Sequence, residues 1–488
     1  MSFLLGFFLR AVEIISGDFV FLFDQGRDYL DVKRIVIDNR MTLIGPFSGI
    51  QGVFTGPGWY YLLSIPFIFF KGDPFGGQVL MLVGGVITMF LVYWIGKKIF
   101  NPYIALIALF LTAISRPVFS QSTVIWNPNL LPSLVILVIW FLYEYFRERK
   151  EIFIAIVYFL IALMYHFELT VVASFLVYTS IFLLILNRKE KVRIRNFFFV
   201  FLSLLLGFLP ALLFELRHNF LQTKSFLNFF LHERGGRFYV NWEVQLDHLK
   251  SFWFNLLSTF NLPSFAIKPF ILCTFLIGIV LFLKNKNYLN KPQKQLLLYF
   301  IFFPFVNFSL YFFFPNAVWQ WYLTHLYFIY IFLASVIVYF SMKNFKFAKV
   351  IYLIFFIFTL YSSLKTLESR YRYDFFDTRG TAGFKSKLAA IDYIYQNAEK
   401  KEFNILVFTP PVYDYAYRYL LWWYGGKKYN YVPGDKKEGL LYLWIEPDNS
   451  KPWTYKGWLE TEIKVGKILN EIKLPSGFII QKRYVEEN

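Results

Sequence analysis

Asp24-Gln25-Gly26-Arg27-Asp28 stands between two apolar segments, the run Ser2 to Ile15 behind it and a second run that begins near Trp59. Acids and an arginine at the end of an apolar helix lie in or near a membrane interface. Desolvation makes charge costly there, so such groups usually have work to do. The surrounding chain supports a membrane setting: 57% of the residues are hydrophobic, 23% are aromatic, and the mean hydropathy is +0.47. Crossing roughly 30 Å of hydrocarbon takes about 20 apolar residues. Runs of that kind recur at Gln78 to Trp94, Leu130 to Tyr145, Asn196 to Phe214 and Val350 to Leu364.

The net charge of +18 does not imply nucleic acid, because the basic residues fall in short clusters between apolar runs. That pattern sets topology and attracts anionic lipid. The clusters are Lys97-Lys98, Arg147 to Lys150, Arg188 to Arg195, Lys284 to Lys294 and Lys343 to Lys349. With every cluster on the cytoplasmic side, the chain must cross an even number of times between consecutive clusters. Outer turns then fall at Ser120 to Asn129, near His166-Phe167-Glu168, across a long segment 215–266, and at Pro315 to Gln320. Lys97-Lys98 keep that side only if Pro57 to Phe70 is a short interfacial segment inside an external loop 18–77. The expectation is a mainly α polytopic protein with about 11 transmembrane helices; a twelfth helix at 58–71 is the alternative. Only nine residues precede Arg10, so either its guanidinium faces the protein interior or some of the first helix lies upstream. The single cysteine, Cys273, permits no intrachain disulfide.

After about Glu368 the apolar runs shorten to Phe403–Phe408 and Leu440–Ile445, which read as strands, while 381–400 and 412–424 read as helices. This predicts a small C-terminal α/β domain over 367–488, placed outside by the odd number of crossings, beyond a membrane domain over 1–366.

A carboxylate beside a guanidinium suits a site where an acid takes a proton from a hydroxyl and a cation receives a phosphate. Asp24 and Arg27, three apart, lie on one helical face with Asp28 and Asp31. For Asp31, Lys33, Arg34 and Asp38 an amphipathic interfacial helix suffices, with Tyr29, Val32, Ile35 and Val36 toward lipid. Other outer-side groups are Arg116 beside Trp126-Asn127-Pro128-Asn129, His166 and Glu168, Arg217-His218, and a loop carrying His232, Glu233, Arg234 and Arg237. Trp319-Gln320-Trp321-Tyr322 reads as an interfacial anchor. The five histidines show no His-x-x-x-His spacing, and a carboxylate-only metal site on Asp24 and Asp28 lacks an Asp-x-Asp pair. No phosphate loop of the Walker or dinucleotide type occurs, which speaks against a soluble nucleotide.

The order of elements resembles the GT-C superfamily of membrane glycosyltransferases, near its protein O-mannosyltransferase and aminoarabinose-transferase branch. A first helix leads to Asp24-x-x-Arg27. Next come Gly56-Pro57-Gly58-Trp59-Tyr60-Tyr61-Leu62 and then Gly96-Lys97-Lys98-Ile99-Phe100. The arrangement extends over about residues 1–366 and the motif-level match over 20–100. The resemblance implies a polyprenyl-phosphate-linked sugar as donor, a lipid, glycan or protein as acceptor, no separate cofactor, and inversion at the anomeric carbon. It makes Asp24 the general base and Arg27 a phosphate contact, with Asp28 a shifted stand-in for the family's second acid. Arg116, His166, Glu168, Arg217, His218 and Tyr60 would then line donor or acceptor. Two departures stand out: Gln25 where the family often has an acid, and Gly56 where the aminoarabinose branch has a lysine. A plasma-membrane enzyme with its site and C-terminus extracytoplasmic is the expected form. A transporter or flippase for a lipid-linked saccharide is the rival, and a non-catalytic scaffold subunit a third reading.

Overall fold

The structure is a computed structural model and describes residues 2–188, 194–231, 242–284, 288–314, 316–376, 380–410, 412–448 and 450–486. Helices dominate, and one small sheet forms near the C-terminus. Six of the described helices are long and apolar enough to cross a membrane: Phe75–Ile99, Asn127–Glu148, Leu169–Asn187, Lys291–Tyr311, Gln320–Asn344 and Lys346–Phe376. Phe197–Gly207 and Leu209–Arg217 form a seventh span if the pair is one element bent by 67°. The apolar run 196–214 is therefore broken; Pro210, in the first turn of its second half, cannot donate the backbone hydrogen bond that would continue the first. The count of eleven spans is not reached on length and hydropathy alone.

The first five helices carry the site. They are α1 (Ser2–Ser16), α2 (Phe23–Val36), α3 (Gly58–Phe69), α4 (Phe75–Ile99) and α5 (Pro102–Ile114). At 1.5 Å per residue α3 is about 18 Å long, too short for roughly 30 Å of hydrocarbon. α4 ends on Lys97 and Lys98, both exposed, as a helix C-terminus favours cations. Arg10 of α1 is fully buried and donates to the carbonyls of Gly6, Thr112 and Ala113, so its guanidinium faces the interior of the bundle. Carbonyls instead of a carboxylate answer its two Nη groups, while Nε has no hydrogen-bond partner among the described residues.

The C-terminal unit holds β1 (Asn404–Phe408), β2 (Gly439–Ile445), β3 (Lys467–Lys473) and β4 (Ile479–Val485) in the order β1-β2-β4-β3. β1 and β2 pair in parallel, while β4 is antiparallel to both β2 and β3. The first two strands and the helix Phe384–Asn397 fall where the sequence places them. The reading 412–424 becomes a short α-helix, Tyr415–Leu420, followed by a wider turn over Leu421–Gly425.

Two hydrophobic cores dominate, beside two small clusters around Leu441–Leu443 and Met89. The larger fills the helix bundle. The second joins Phe19, Phe21, Tyr29, Trp59 and Leu63 to Phe384, Ile391, Tyr419, Tyr442 and Trp444 of the C-terminal unit. This corrects the expected lipid-facing stripe: Tyr29 and Val32 are fully buried and Ile35 nearly so. Tyr29 packs on Tyr419 at 5.0 Å and on Phe67 at 6.1 Å, so α2 turns its apolar side toward protein. The backbone strengthens the junction, with Phe384 N–H donating to Phe19 O at 2.9 Å and Phe21 N–H to Ala382 O at 3.0 Å.

Candidate functional site

Asp24 sits in the first turn of α2, where the partial positive charge of the helix N-terminus favours an anion. Gln25 fixes that turn: its Oε1 accepts from Leu22 N–H at 2.8 Å, and its Nε2 donates to Ile125 O at 2.8 Å. The second acid that the family often has is thus replaced by an amide able to do both jobs, which a carboxylate, accepting only, cannot. Gly26 is required by close approach. A Cβ there would lie 2.1 Å from Ala416 N, where the C-terminal helix Tyr415–Leu420 rests on α2.

Arg27 is committed to both neighbouring acids. Nη1 reaches Asp24 Oδ1 at 2.9 Å, while Nε and Nη2 reach Asp28 Oδ1 at 2.9 and 2.7 Å. Phe23 and Phe47 cover the guanidinium, 5.5 and 4.9 Å from ring centre. Desolvation opposes its charge, yet the two carboxylates hold its pKa above the usual arginine range. Asp28 has no exposed surface and also accepts from Trp59 Nε1 at 2.7 Å. Burial pushes it up to about 6 against the pull of Arg27. Asp24 differs, with about a third (35%) of its side chain exposed. The same helix therefore holds one carboxylate open and another sealed. Tyr60 donates to Asp31 Oδ2 at 3.1 Å and so braces α3 against α2.

Asp24 lines a cavity of about 330 Å³ with Val20, Gln25, Val124 and Trp126. Lys387, Thr409, Tyr417 and Glu446 of the C-terminal unit close its other side. A second cavity of about 580 Å³ lies against Val124 as well and is lined by Arg116, Lys365, Arg370 and Glu13 among hydroxyl side chains. Arg370 is held there by Leu9 O and by Glu13 at 3.0 Å. Arg116 and Lys365 are exposed and make no ion pair among the described residues.

The remaining expected residues divide. His166 Nδ1 accepts from Gly58 N–H at 3.2 Å, and burial lowers its pKa, so it is a neutral acceptor for the α3 entry loop. A Cβ on Gly56 would lie 2.1 Å from His166 Nδ1, which leaves no room for the lysine of the aminoarabinose branch. Glu168 caps the helix Leu169–Asn187 through Thr170, with its carboxyl pushed up to about 7 by burial. Arg217 is exposed and His218 stacks on Phe214 at 4.0 Å; neither borders either cavity. Trp126 packs edge-on against Trp321 at 5.0 Å, joining the aromatic anchor to the Asp24 cavity. His232, Glu233, Arg234 and Arg237 lie outside the described residues. Among the described residues no group of three or more His, Cys, Asp or Glu is placed to hold a metal.

Sequence reasoning missed Lys387, Thr409, Tyr417 and Glu446. No local motif marks them, and more than 350 residues separate Asp24 from the nearest of them.

Residues 55–214, about a third of the chain, match the family model of dolichyl-phosphate-mannose-protein mannosyltransferases. No curated protein matches the chain in sequence. Among solved structures the fold is similar to that of ArnT from Cupriavidus metallidurans bound to undecaprenyl phosphate. The TM-score is 0.60 at 10% identity, covering 97% of this chain and 96% of that one. The apo form of the same protein gives a TM-score of 0.58 over the same coverage. The Archaeoglobus fulgidus oligosaccharyltransferase tethered to an acceptor peptide with an NVT sequon gives 0.51 at 14% identity, covering 98% of this chain and 73% of that one. The fold is thus GT-C, sheet-bearing C-terminal unit included. Fold and family match together define the class: a membrane glycosyltransferase of the GT-C type.

Proposed function

We propose that this glycosyltransferase moves a sugar from a polyprenyl-phosphate-linked donor to an acceptor hydroxyl on the extracytoplasmic face of a plasma membrane, with Asp24 as general base. Asp24 takes the proton from the acceptor hydroxyl, whose oxygen attacks the anomeric carbon as the bond from that carbon to the lipid phosphate breaks. A single displacement inverts the anomeric centre. The carrying observation is the placement of Asp24: a partly exposed carboxylate, held by a buried arginine, facing a cavity roofed by the C-terminal unit.

Arg27 holds Asp24 in position and brings positive charge to the site. The exposed Arg116, across Val124, is the better placed cation for the phosphate charge that develops, since Arg217 borders neither cavity. The bound undecaprenyl phosphate of the ArnT structure supports a lipid phosphate as leaving group here. For topology, the reading takes the six long helices, the bent pair, α1, α5, Glu151–Leu163 and Ser264–Lys284 as eleven crossings, with the short α3 left at the interface. That count, together with the basic clusters, supports reading residues 367–488 as an extracytoplasmic α/β roof over a catalytic domain of residues 1–366.

The test is mass spectrometry of the purified protein before and after incubation with its native lipid extract. A polyprenyl-phosphate sugar that co-purifies and is consumed with release of polyprenyl phosphate is the expected result. Intact lipid-linked sugar moved across vesicles without any transfer product would favour a transporter instead.

A further inference from the structure

The wall of the Asp24 cavity opposite α2 is built by the C-terminal unit. Glu446 follows directly on β2 and is half-buried. Its Oε2 accepts from Thr409 Oγ1 at 2.8 Å and from Tyr417 Oη at 2.5 Å. Both bonds end on one oxygen; Oε1 takes no hydrogen bond among the described residues. The carboxylate is thus oriented by two hydroxyls and leaves an acceptor for something else, in a cavity it shares with Asp24.

Lys387 lines the same cavity and is wholly buried. Its Nζ donates to Thr381 O and sits over the rings of Tyr417 and Phe478, 5.4 and 5.8 Å from their centres. Burial pushes the ammonium down to about 8, against the pull of Glu446 and Asp18. A buried ammonium is costly unless anions and acceptors answer it. Among the lining residues Asp24 and Glu446 stand against Lys387, while Arg27 is shared between Asp24 and Asp28, so the cavity offers no surplus cation to a negatively charged sugar. The lining also presents Phe23, Trp126 and Tyr413, flat surfaces that suit the apolar face of a sugar ring. The neighbouring cavity differs, with three cations against one acid.

We propose that Glu446, oriented by Thr409 and Tyr417 and backed by Lys387, is a specificity-determining residue that accepts hydrogen bonds from hydroxyls of an uncharged sugar held in the Asp24 cavity. The inference rests on the proposed function in placing a sugar at Asp24. It adds that the C-terminal unit, 422 residues further along the chain at Glu446, selects which sugar is held. A site built to pair with a hydroxyl discriminates strongly against an analogue that lacks it, because the buried acceptor is then left unpaired.

The test is saturation-transfer NMR on the full-length protein in nanodiscs, with methyl glycosides of neutral hexoses and pentoses, their monodeoxy analogues, and uronic acids as probes. Wild type is expected to bind at least one neutral glycoside saturably. Glu446→Gln weakens that binding about tenfold, the loss of one hydrogen bond to a charged group, and Thr409→Val, which keeps the carboxylate but frees it, weakens it less. One monodeoxy analogue should bind wild type and Glu446→Gln equally, an outcome that a merely structural Glu446 does not produce. Equal binding of every neutral glycoside by wild type and a folded Glu446→Gln overturns the inference, as does preference for uronic acids or no saturable binding at all. Donor turnover in the same preparations separates the two claims. Transfer with unchanged sugar preference in Glu446→Gln sinks the inference alone, whereas sugar binding without any transfer sinks the proposed function alone.

Discussion

In the Asp24 cavity the positive charges are buried and committed. Arg27 is bonded to two carboxylates, and Lys387 is enclosed by rings and a carbonyl. In the Arg116 cavity, on the other side of Val124, one arginine is tied to α1 while Arg116 and Lys365 stand exposed without an ion pair among the described residues. The difference teaches that cation count does not assign a role. A guanidinium that is desolvated and paired holds the fold and positions a neighbour. An exposed one has donors left for a ligand, and its bonds form only when the ligand arrives.

Removing charges on each side separates the two circumstances. The largest stability effect belongs to Arg27→Met, which strands Asp28 as a fully buried carboxylate. Breaking a buried pair from one side costs roughly 3–5 kcal/mol, so melting temperature should fall sharply. Adding Asp28→Asn to that variant should recover most of the loss, because the stranded charge is gone. A mild Arg27→Met would mean that Asp28 finds other partners and that the contrast between the cavities is overstated.

Lys387 gives a pH test of the same contrast. Its folded pKa is about 8 against an ordinary lysine value of 10.5, so between those values the unfolded chain binds more protons than the folded one. Stability from this group is therefore present above the ordinary value and lost as pH falls through about 8. The shift corresponds to about 3 kcal/mol at most. Thermal melts from pH 7 to 11 should show a rise in wild type that is absent in Lys387→Met. Identical profiles would mean that Lys387 is not desolvated.

Smaller effects lie on the exposed side. Arg116→Ala should melt like wild type but turn over the donor about tenfold more slowly, as one charge-assisted hydrogen bond predicts. Arg217→Ala should change neither by more than about 0.5 kcal/mol, the ordinary range for a surface substitution. Equal loss of turnover in the two variants would remove the distinction that the cavity draws between them.

The legible regions of the molecule are those governed by local pattern. The Asp24–Arg27 pair, the shortness of α3, the basic end of α4 and the first two strands all follow from charge at helix ends, from spacing, and from short apolar runs. β3 was not legible because all seven of its residues are exposed, so no alternation marks it. The buried face of α2 was misread for a different reason: an apolar stripe looks the same whether lipid or another segment of the chain covers it. Arg217 and Arg116 both sit at helix ends in the sequence, and only packing shows which of them borders a cavity. Glu446 and Lys387 carry no signal at all, since the cavity wall they face, Val20 to Gln25 with Val124 and Trp126, lies more than 250 residues earlier in the chain.

The proposed chemistry depends throughout on Asp24 being the base, and one measurement tests it directly. Donor turnover and donor-lipid binding are measured side by side in wild type and Asp24→Asn, a change that keeps shape and one acceptor oxygen while removing the basic carboxylate. Loss of turnover with lipid binding close to wild type is the predicted result. Full turnover in Asp24→Asn would contradict the account, because no other carboxylate of α2 borders the cavity.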